Sequence, residues 1–305
     1  MGVLDEIIAH KRSELLESRA RHPIADLQAA CRRLGQAPAL GTALRPRPPG
    51  RVNLIAEVKR ASPSRGVLRA NLDPVSQAHR YASAGAAVIS VLTDAKYFRG
   101  SLDDLVAVRN AVTVPLLRKE FIVEEYQLWE SRAAGADAVL LIVAALDQGT
   151  LGDLLRAAAD IGLGVLMEVH TAEELDRALC LGAPVVGVNN RNLQTLETSL
   201  EPSLRLLPLI PPGPVAVSES GLHTAADVER VVAAGAHAIL VGEGLVRATD
   251  VEAKVRELML TTPDDARASL AADRQSPDAP SSVARSSSSP PPAGRGAGRG
   301  KAASW

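Results

Sequence analysis

Charged side chains interrupt the apolar runs of this chain where their chemistry could be used together. Leu54-Ile55-Ala56-Glu57-Val58-Lys59 ends in a carboxylate and an ammonium, and Leu116-Leu117-Arg118-Lys119 ends in a second ammonium. Val165-Leu166-Met167-Glu168-Val169-His170 brings another carboxylate. Gly187-Val188-Asn189-Asn190-Arg191 and Val217-Ser218-Glu219-Ser220-Gly221 bring an amide, a guanidinium and a further carboxylate. These are the groups of general acid–base catalysis. A lysine beside a carbonyl oxygen donates a proton, and its charge offsets the developing alkoxide. A carboxylate accepts the proton that a carbon must lose. Residues two apart on a strand share a face, so Glu57 and Lys59 point the same way. One charge at a strand end is ordinarily just solvated. Several at equivalent positions of a cyclic fold indicate a converging site.

The elements that would position these groups repeat. Ala84-Gly85-Ala86, Ala134-Gly135-Ala136, Leu181-Gly182-Ala183 and Ala234-Gly235-Ala236 each close a helical pattern and open a β-rich run, with starts 50, 47 and 53 residues apart. Glycine suits the left-handed position just past a helix end. Val88, Val139, Val185 and Ile239 begin the β-rich runs. Four more strand candidates lie between them, over 52–59, 114–121, 164–169 and 215–220. Strand and helix thus alternate eight times between Val52 and about Leu260. That pattern implies a parallel sheet buried on both faces. It fits a (β/α)8 TIM barrel, whose catalytic groups sit at the C-terminal ends of strands. An open dinucleotide-binding sheet is disfavoured, because no G-x-G-x-x-G opens a helix after the first strand.

Two late segments have the form of a phosphate cradle. Ser220-Gly221 follows the seventh strand candidate, and Gly242-Glu243-Gly244 follows the eighth. Loops after strands seven and eight are the usual phosphate site of such barrels, where glycine lets backbone N–H groups approach the oxygens. The flanks differ in kind. Apolar residues near a 3.6-residue period predict a helix over 3–19, with a second over 26–34, then a Pro-rich linker. These helices precede the first strand, so they would cap an end of the barrel or shape the rim of its site. Residues 276–305 contain eight Ser, five Pro and four Gly and are predicted to be disordered. The expected organisation is an N-terminal helical extension and linker over 1–50, a catalytic barrel over 51–262 and a tail over 263–305.

Composition removes other classes of function. Lys and Arg total 34 against 35 for Asp and Glu, so no global field draws a polyanion or a membrane surface. Two Trp, three Tyr and two Phe are too few for a stacking platform, so no nucleic-acid partner is expected. No apolar run reaches the roughly 18 residues of a membrane helix. Cys31 and Cys180 cannot form a disulfide framework and read as reduced, buried and inert in a cytoplasmic chain. His10, His22, His79, His223 and His237 are scattered without metal-ligand spacing, and His170 reads as a packed or loop histidine. No metal and no cofactor are expected.

Glu57-Val58-Lys59-Arg60-Ala61-Ser62-Pro63-Ser64-Arg65-Gly66 closely resembles the signature of the indole-3-glycerol-phosphate synthase family, the ring-closing enzymes of tryptophan biosynthesis. Leu117–Ile122, Met167–His170, Gly187–Leu193 and Ser218–Gly221 match the family's later motifs in order. The resemblance spans about Leu4 to Leu260 and accounts for a helix ahead of the barrel. It implies a phosphorylated substrate, 1-(2-carboxyphenylamino)-1-deoxyribulose 5-phosphate, closed to indole-3-glycerol phosphate with loss of CO2 and water. By resemblance Lys119 is the acid of ring closure, Glu168 the general base and Lys59 the second acid and phosphate neighbour. Glu57 would orient Lys59 or Lys119. Asn189 and Glu219 would hold hydroxyls and position the lysines. Arg191 would pair with the substrate carboxylate, Ser62 (and Ser64) would hydrogen-bond substrate, and Ser220, Gly221, Gly242 and Glu243 would take the phosphate. Other tryptophan-pathway enzymes are the implied protein partners.

Two features depart from the family pattern. Glu243 stands where a Ser is frequent, and a carboxylate beside a phosphate repels it. The expectation is that its backbone N–H serves the phosphate while its side chain turns to solvent. The long tail is also extra. A neighbouring barrel isomerase on a ribose phosphate would need a Cys/Asp pair at strand ends, and both cysteines fall in predicted helices. A non-catalytic barrel binding RNA or protein through its tail is disfavoured by the balanced charge and few aromatics. Deleting residues 263–305 separates these readings: turnover should be unchanged in a steady-state assay if the tail is inert.

Overall fold

Eight parallel strands close on one another in the computed structural model: β1 (Asn53–Val58), β2 (Val88–Leu92), β3 (Leu116–Lys119), β4 (Ala138–Ile142), β5 (Gly164–Val169), β6 (Val185–Asn189), β7 (Val215–Glu219) and β8 (Ala238–Val241). The last pairs with the first, Asn53 lying opposite Ala238. The structure describes residues 2–261 except 36, 46–50 and 194. The Pro-rich linker and the 263–305 tail lie outside the described residues.

The strand pleat sorts each strand into two faces. Leu54, Ala56 and Val58 of β1 face outward, in one cluster with the apolar faces of the surrounding helices. Ile55, Val88, Leu117, Leu140, Leu166, Val217 and Leu240 fill the barrel interior as a separate cluster. The inward parity continues past these residues to Glu57, Lys119, Glu168, Asn189 and Glu219 at the C-terminal ends. The parity that builds the core therefore aims the polar groups into the mouth.

The outer helices start and stop on local chemistry. Asp73, Ser101, Asp147, Thr171, Thr224 and Asp250 each accept a first-turn N–H. The glycines of the four repeated tripeptides sit at φ 98°, 93°, 74° and 110°, the left-handed turn that returns each helix to the next strand. The loop after β1 forms a small antiparallel hairpin of Ala61–Ser62 and Gly66–Val67, which periodicity did not predict because each strand is only two residues long.

The N-terminal region serves both ends of the barrel. α1 (Val3–Arg21) lies over the mouth, where Val3, Leu4 and Ile7 line the central cavity. α2 (Ile24–Cys31) packs beside α4 (Tyr126–Ala133), with Leu27 and Tyr126 in one apolar cluster. A short helix α3 (Leu40–Leu44), unforeseen from the sequence, closes the other end. Its Leu40 and Leu44 belong to the interior cluster. A Cβ at Gly164 would lie 2.7 Å from Leu40 Cβ, so glycine there admits the plug. The cysteines differ from expectation: Cys31 is half-buried and Cys180 exposed. Each is the last residue of its helix, where the apolar face has run out.

Leu44 is fully buried, so Leu44→Ala should cost about 2–5 kcal/mol of stability in urea unfolding. Its turnover should stay close to that of the parent, because the plug and the polar mouth are at opposite ends.

Candidate active site

Strand register brings the inward polar ends side by side. Asn189 pairs with Glu219 across β6 and β7, and Glu168 lies beside Ile142 across β4 and β5. At the centre, Lys119 Nζ is 3.0 Å from Glu168 Oε2 and 3.3 Å from Glu219 Oε2. Lys59 Nζ is 2.6 Å from Glu57 Oε1. The Asn189 side chain hydrogen-bonds Glu168, and its Oδ1 accepts the Arg191 N–H at 3.0 Å. Glu57, Lys59, Lys119, Glu168, Asn189 and Glu219 all line one cavity. The structure thus assembles every acid–base residue expected from the sequence, and pairs Glu57 with Lys59.

Two glycines make room for this constellation. A Cβ on Gly187 of β6 would collide with Glu219 Oε1, and one on Gly242 would collide with Glu57 Oε1 and crowd Lys59. Both positions face inward, where a side chain would take the volume the carboxylates use.

The three carboxylates give the site its electrostatics. Burial alone would push the Lys119 proton off; Glu168, Glu219 and Glu57 outweigh it, and the ammonium is held well above the usual lysine range. Burial works on Glu168 in the opposite sense, but Lys119 and His170 overcome it and hold this carboxyl below the ordinary range. Glu219 differs. Burial dominates, Lys119 offsets only part of it, Glu168 and Glu57 repel, and its pKa is pushed up to about 7. Its Oε1 is buried without a hydrogen-bond partner. Near neutral pH the pair around Lys119 therefore combines an ionised carboxylate at Glu168 with a Glu219 close to half-protonated.

The rim is cationic and built from two loops. Arg191 Nη1 donates to Ser64 Oγ at 2.6 Å, and Ser64 Oγ is 3.4 Å from the buried Ser62 Oγ. Arg191 therefore faces the cavity and ties the loop after β6 to the loop after β1. Ser220 and Gly221 adopt φ 67° and 76° and line the cavity with Gly242, Glu243 and Gly244. A non-glycine residue held at positive φ costs about 1 kcal/mol or more and is typical of functional turns. Glu243 begins a short helix, Glu243–Val246, whose first N–H groups have no intrahelical acceptor. Its side chain does not turn to solvent as expected. It is 13% exposed and lies 3.4 Å from Arg65, 3.5 Å from Arg247 and 3.9 Å from Arg191. The guanidinium groups neutralise it, which removes the repulsion that led to the solvent expectation.

Several contributors were not legible in the sequence. Lys11 of α1 is buried and lies 3.1 Å from both Asp94 and Glu120, the residues just beyond β2 and β3. Glu120 also accepts from Thr93 at 2.8 Å, and Thr93 accepts from Arg118 at 3.0 Å. This network fastens α1 to the strand end that carries Lys119. Phe98 and Phe121, ring centroids 6.1 Å apart, form an apolar wall with Val3, Leu4 and Ile7. His170 also enters, 3.6 Å from Glu168. No spacing rule reveals the contacts of Lys11, Thr93 and the two phenylalanines, whose partners are far apart in the chain, whereas His170 shares the inward parity of Glu168 two residues before it. Among the described residues no three His, Cys, Asp or Glu side chains are grouped to hold a metal ion.

The family model for indole-3-glycerol phosphate synthase matches residues 4–258. The chain belongs to the indole-3-glycerol phosphate synthase family. Curated relatives of that name include one from Laribacter hongkongensis, 46% identical over 84% of this chain and 98% of its own length. Another, from Roseiflexus sp. (strain RS-1), is 49% identical over 84% of this chain and 97% of its own length. Among solved structures, a 3-hexulose-6-phosphate synthase superposes with TM-score 0.57 at 19% identity, covering 69% of this chain and all of that one. A thiamine phosphate pyrophosphorylase from Pyrococcus furiosus gives 0.51 at 16% identity, over 68% of this chain and 93% of that one. At such identity these two share the barrel fold.

The glycine gap at the centre of this synthase-family site is testable. Gly187→Ala should push the Glu219 carboxylate away from Lys119 and lower kcat by about 100-fold, the scale of one lost acid–base contact. Circular dichroism of the variant should remain that of the parent.

Proposed function

We propose that this chain catalyses the reaction of its family, a decarboxylating ring closure in tryptophan biosynthesis, by general acid–base catalysis in the barrel mouth. The observation that carries this reading is the half-buried Lys119 ammonium gripped by the buried Glu168 and Glu219. The substrate is the phosphorylated 1-(2-carboxyphenylamino)-1-deoxyribulose. The anilino ring carbon bearing the carboxylate attacks the ketone carbon, and Lys119 gives its proton to the ketone oxygen. CO2 then leaves, and its bonding electrons restore the aromatic ring. The new hydroxyl departs as water with a proton from Lys59. Glu168 removes the proton from the carbon beside nitrogen, which completes the indole. Two protons go in and one comes out, so each turnover draws one proton from solvent.

The remaining residues bind and orient. Glu57 holds Lys59 at 2.6 Å and orients it for its step. Asn189 and Glu219 hold the hydroxyls and the Lys119 head. Arg191 meets the substrate carboxylate through its planar fork, with Ser62 and Ser64 beside it. The backbone at Ser220, Gly221, Gly242 and Glu243 takes the phosphate, supported by the φ values of the first two and the helix start at Glu243. The apolar wall of Phe98, Phe121 and α1 receives the aromatic ring and excludes water, which strengthens every charge in the mouth.

The reading places the enzyme in the cytoplasm and its partners among other enzymes of tryptophan biosynthesis. Two unpaired cysteines support a reducing compartment, and no described helix is long and apolar enough to cross a membrane.

The test is a fluorescence assay for indole product with the purified protein and the carboxyphenylamino-deoxyribulose phosphate, with and without EDTA. Lys119→Met should lower kcat by 1,000-fold or more, about the full contribution of a general acid and its charge. Substrate should still bind in equilibrium titration. Near-normal turnover by this variant would remove Lys119 as the acid. No product from the folded parent would overturn the reading itself.

A further inference from the structure

Glu168 has a second neighbour that acid–base assignment leaves unused. His170 lies two residues beyond it on the line of β5 and shares its inward parity. Its Nε2 is 3.6 Å from Glu168 Oε1, whereas Lys119 takes Glu168 Oε2 at 3.0 Å. We propose that His170 is a positioning residue for Glu168: clamped by Glu174, its ring holds the carboxylate at the oxygen Lys119 does not take. This proposal rests on the reading of Glu168 as the general base.

The clamp is built by the start of the following helix, α5 (Ala172–Cys180). Its N-cap Thr171 accepts the Glu174 N–H at 3.2 Å, the Thr-x-x-Glu arrangement of a capped helix. In the usual box the glutamate returns to the N-cap N–H. Here Glu174 Oε2 accepts the N–H of His170, one residue earlier, at 2.7 Å, and also meets the His170 ring Nδ1 at 3.2 Å. The helix start fixes the carboxylate, and the carboxylate fixes both the backbone and the ring of His170.

The other edge of the ring is then aimed. His170 Nε2 is buried and has no hydrogen-bond partner, and Glu168 is the acid in front of it. At 3.6 Å the contact is longer than a hydrogen bond and within reach of a charge. Contacts of this kind tighten when substrate fills a site. Burial opposes a charge on the ring; Glu174, Glu168 and Glu219 outweigh it and favour the imidazolium. Asp5, Arg191 and Arg205 line the cavity beside it together with Glu174. A cation at this place keeps Glu168 ionised after Lys119 has given up its proton, the moment at which the base would otherwise lose its counter-charge.

A ring that only fills space would affect folding or KM. A positioning cation affects kcat and pH dependence. His170→Asn keeps a group near Glu174 but cannot reach Glu168. Its kcat should fall about tenfold, a fraction of the 100-fold or more a base itself supplies, with KM nearly unchanged. The acid limb of its kcat/KM profile should move to higher pH, because Glu168 loses a charge that holds its proton off. Glu174→Gln should move both in the same direction by less. His170→Gln, which extends an amide toward Glu168, should recover part of kcat without restoring the limb. His170→Asn is compared with Glu174→Gln so that a folding defect in one leaves the other to decide. Parent-like kcat and an unmoved limb in the folded variants, with Glu168→Gln inactive, would overturn the role of His170 alone. Turnover by Glu168→Gln would overturn the base assignment and this proposal with it.

Discussion

An ammonium deep in an apolar barrel stays charged only if negative groups meet it there. Lys119 and its carboxylates set the terms for everything around them. Removing any of these charges from water costs several kcal/mol, and their mutual attraction repays it only when geometry is fixed. The barrel supplies that geometry through strand register, which sets side chains on neighbouring strands at nearly invariant separations. It also supplies volume, through glycines at 187 and 242 whose missing Cβ atoms leave space for Glu219 and Glu57. Fold and site are thus one design: the pleat that packs Ile55, Leu117 and Leu166 inside is the pleat that points Glu57, Lys119 and Glu168 into the mouth.

The N-terminal segment completes the enclosure at both ends. α3 seals the floor with two leucines, and α1 roofs the mouth with apolar residues. The roof is fastened by charge. Lys11 lies buried against Asp94 and Glu120, and Lys11 and Arg118 together keep the buried Glu120 carboxyl below the ordinary range. Glu120 is the chain neighbour of Lys119, so the clasp that holds the roof also stiffens the strand end carrying Lys119. A low-dielectric roof strengthens every interaction beneath it.

The barrel was legible because its signals are periodic. Four Ala-Gly-Ala-like turns and eight apolar runs specify alternation, and polar interruptions at their ends mark the inward C-terminal positions. The polar residues of the mouth were legible for the same reason, since Glu57/Lys59 and Glu168 each break a strand. Contacts between elements were not. Lys11 reads as one more charge on an amphipathic helix until the helix is laid over the mouth. Leu40 and Leu44 read as part of a linker, because a helix of five residues has too little period to register. Glu243 reads as a repulsive neighbour of phosphate until Arg65, Arg191 and Arg247 are seen around it. His170 reads as a loop histidine until Glu174 turns its ring.

The proton balance explains why one lysine is shared by two unlike carboxylates. In the proposed mechanism ring closure takes a proton from Lys119, and aromatisation later delivers one to Glu168, 3.0 Å away. The same short contact can return it, so the acid is reset by the base without leaving the site. That exchange works only if the base is ionised beforehand. Burial and charge separate the two: Glu168 is held below the usual range, while Glu219 is pushed up to about 7. Pairs of titratable groups driven apart in this way take different roles. A near-neutral Glu219 can donate a hydrogen bond to a substrate hydroxyl as well as accept one, and it adds less negative charge against the substrate phosphate and carboxylate. In that mechanism the single proton drawn from solvent falls to Lys59, whose neighbour Glu57, 2.6 Å away, is not the base.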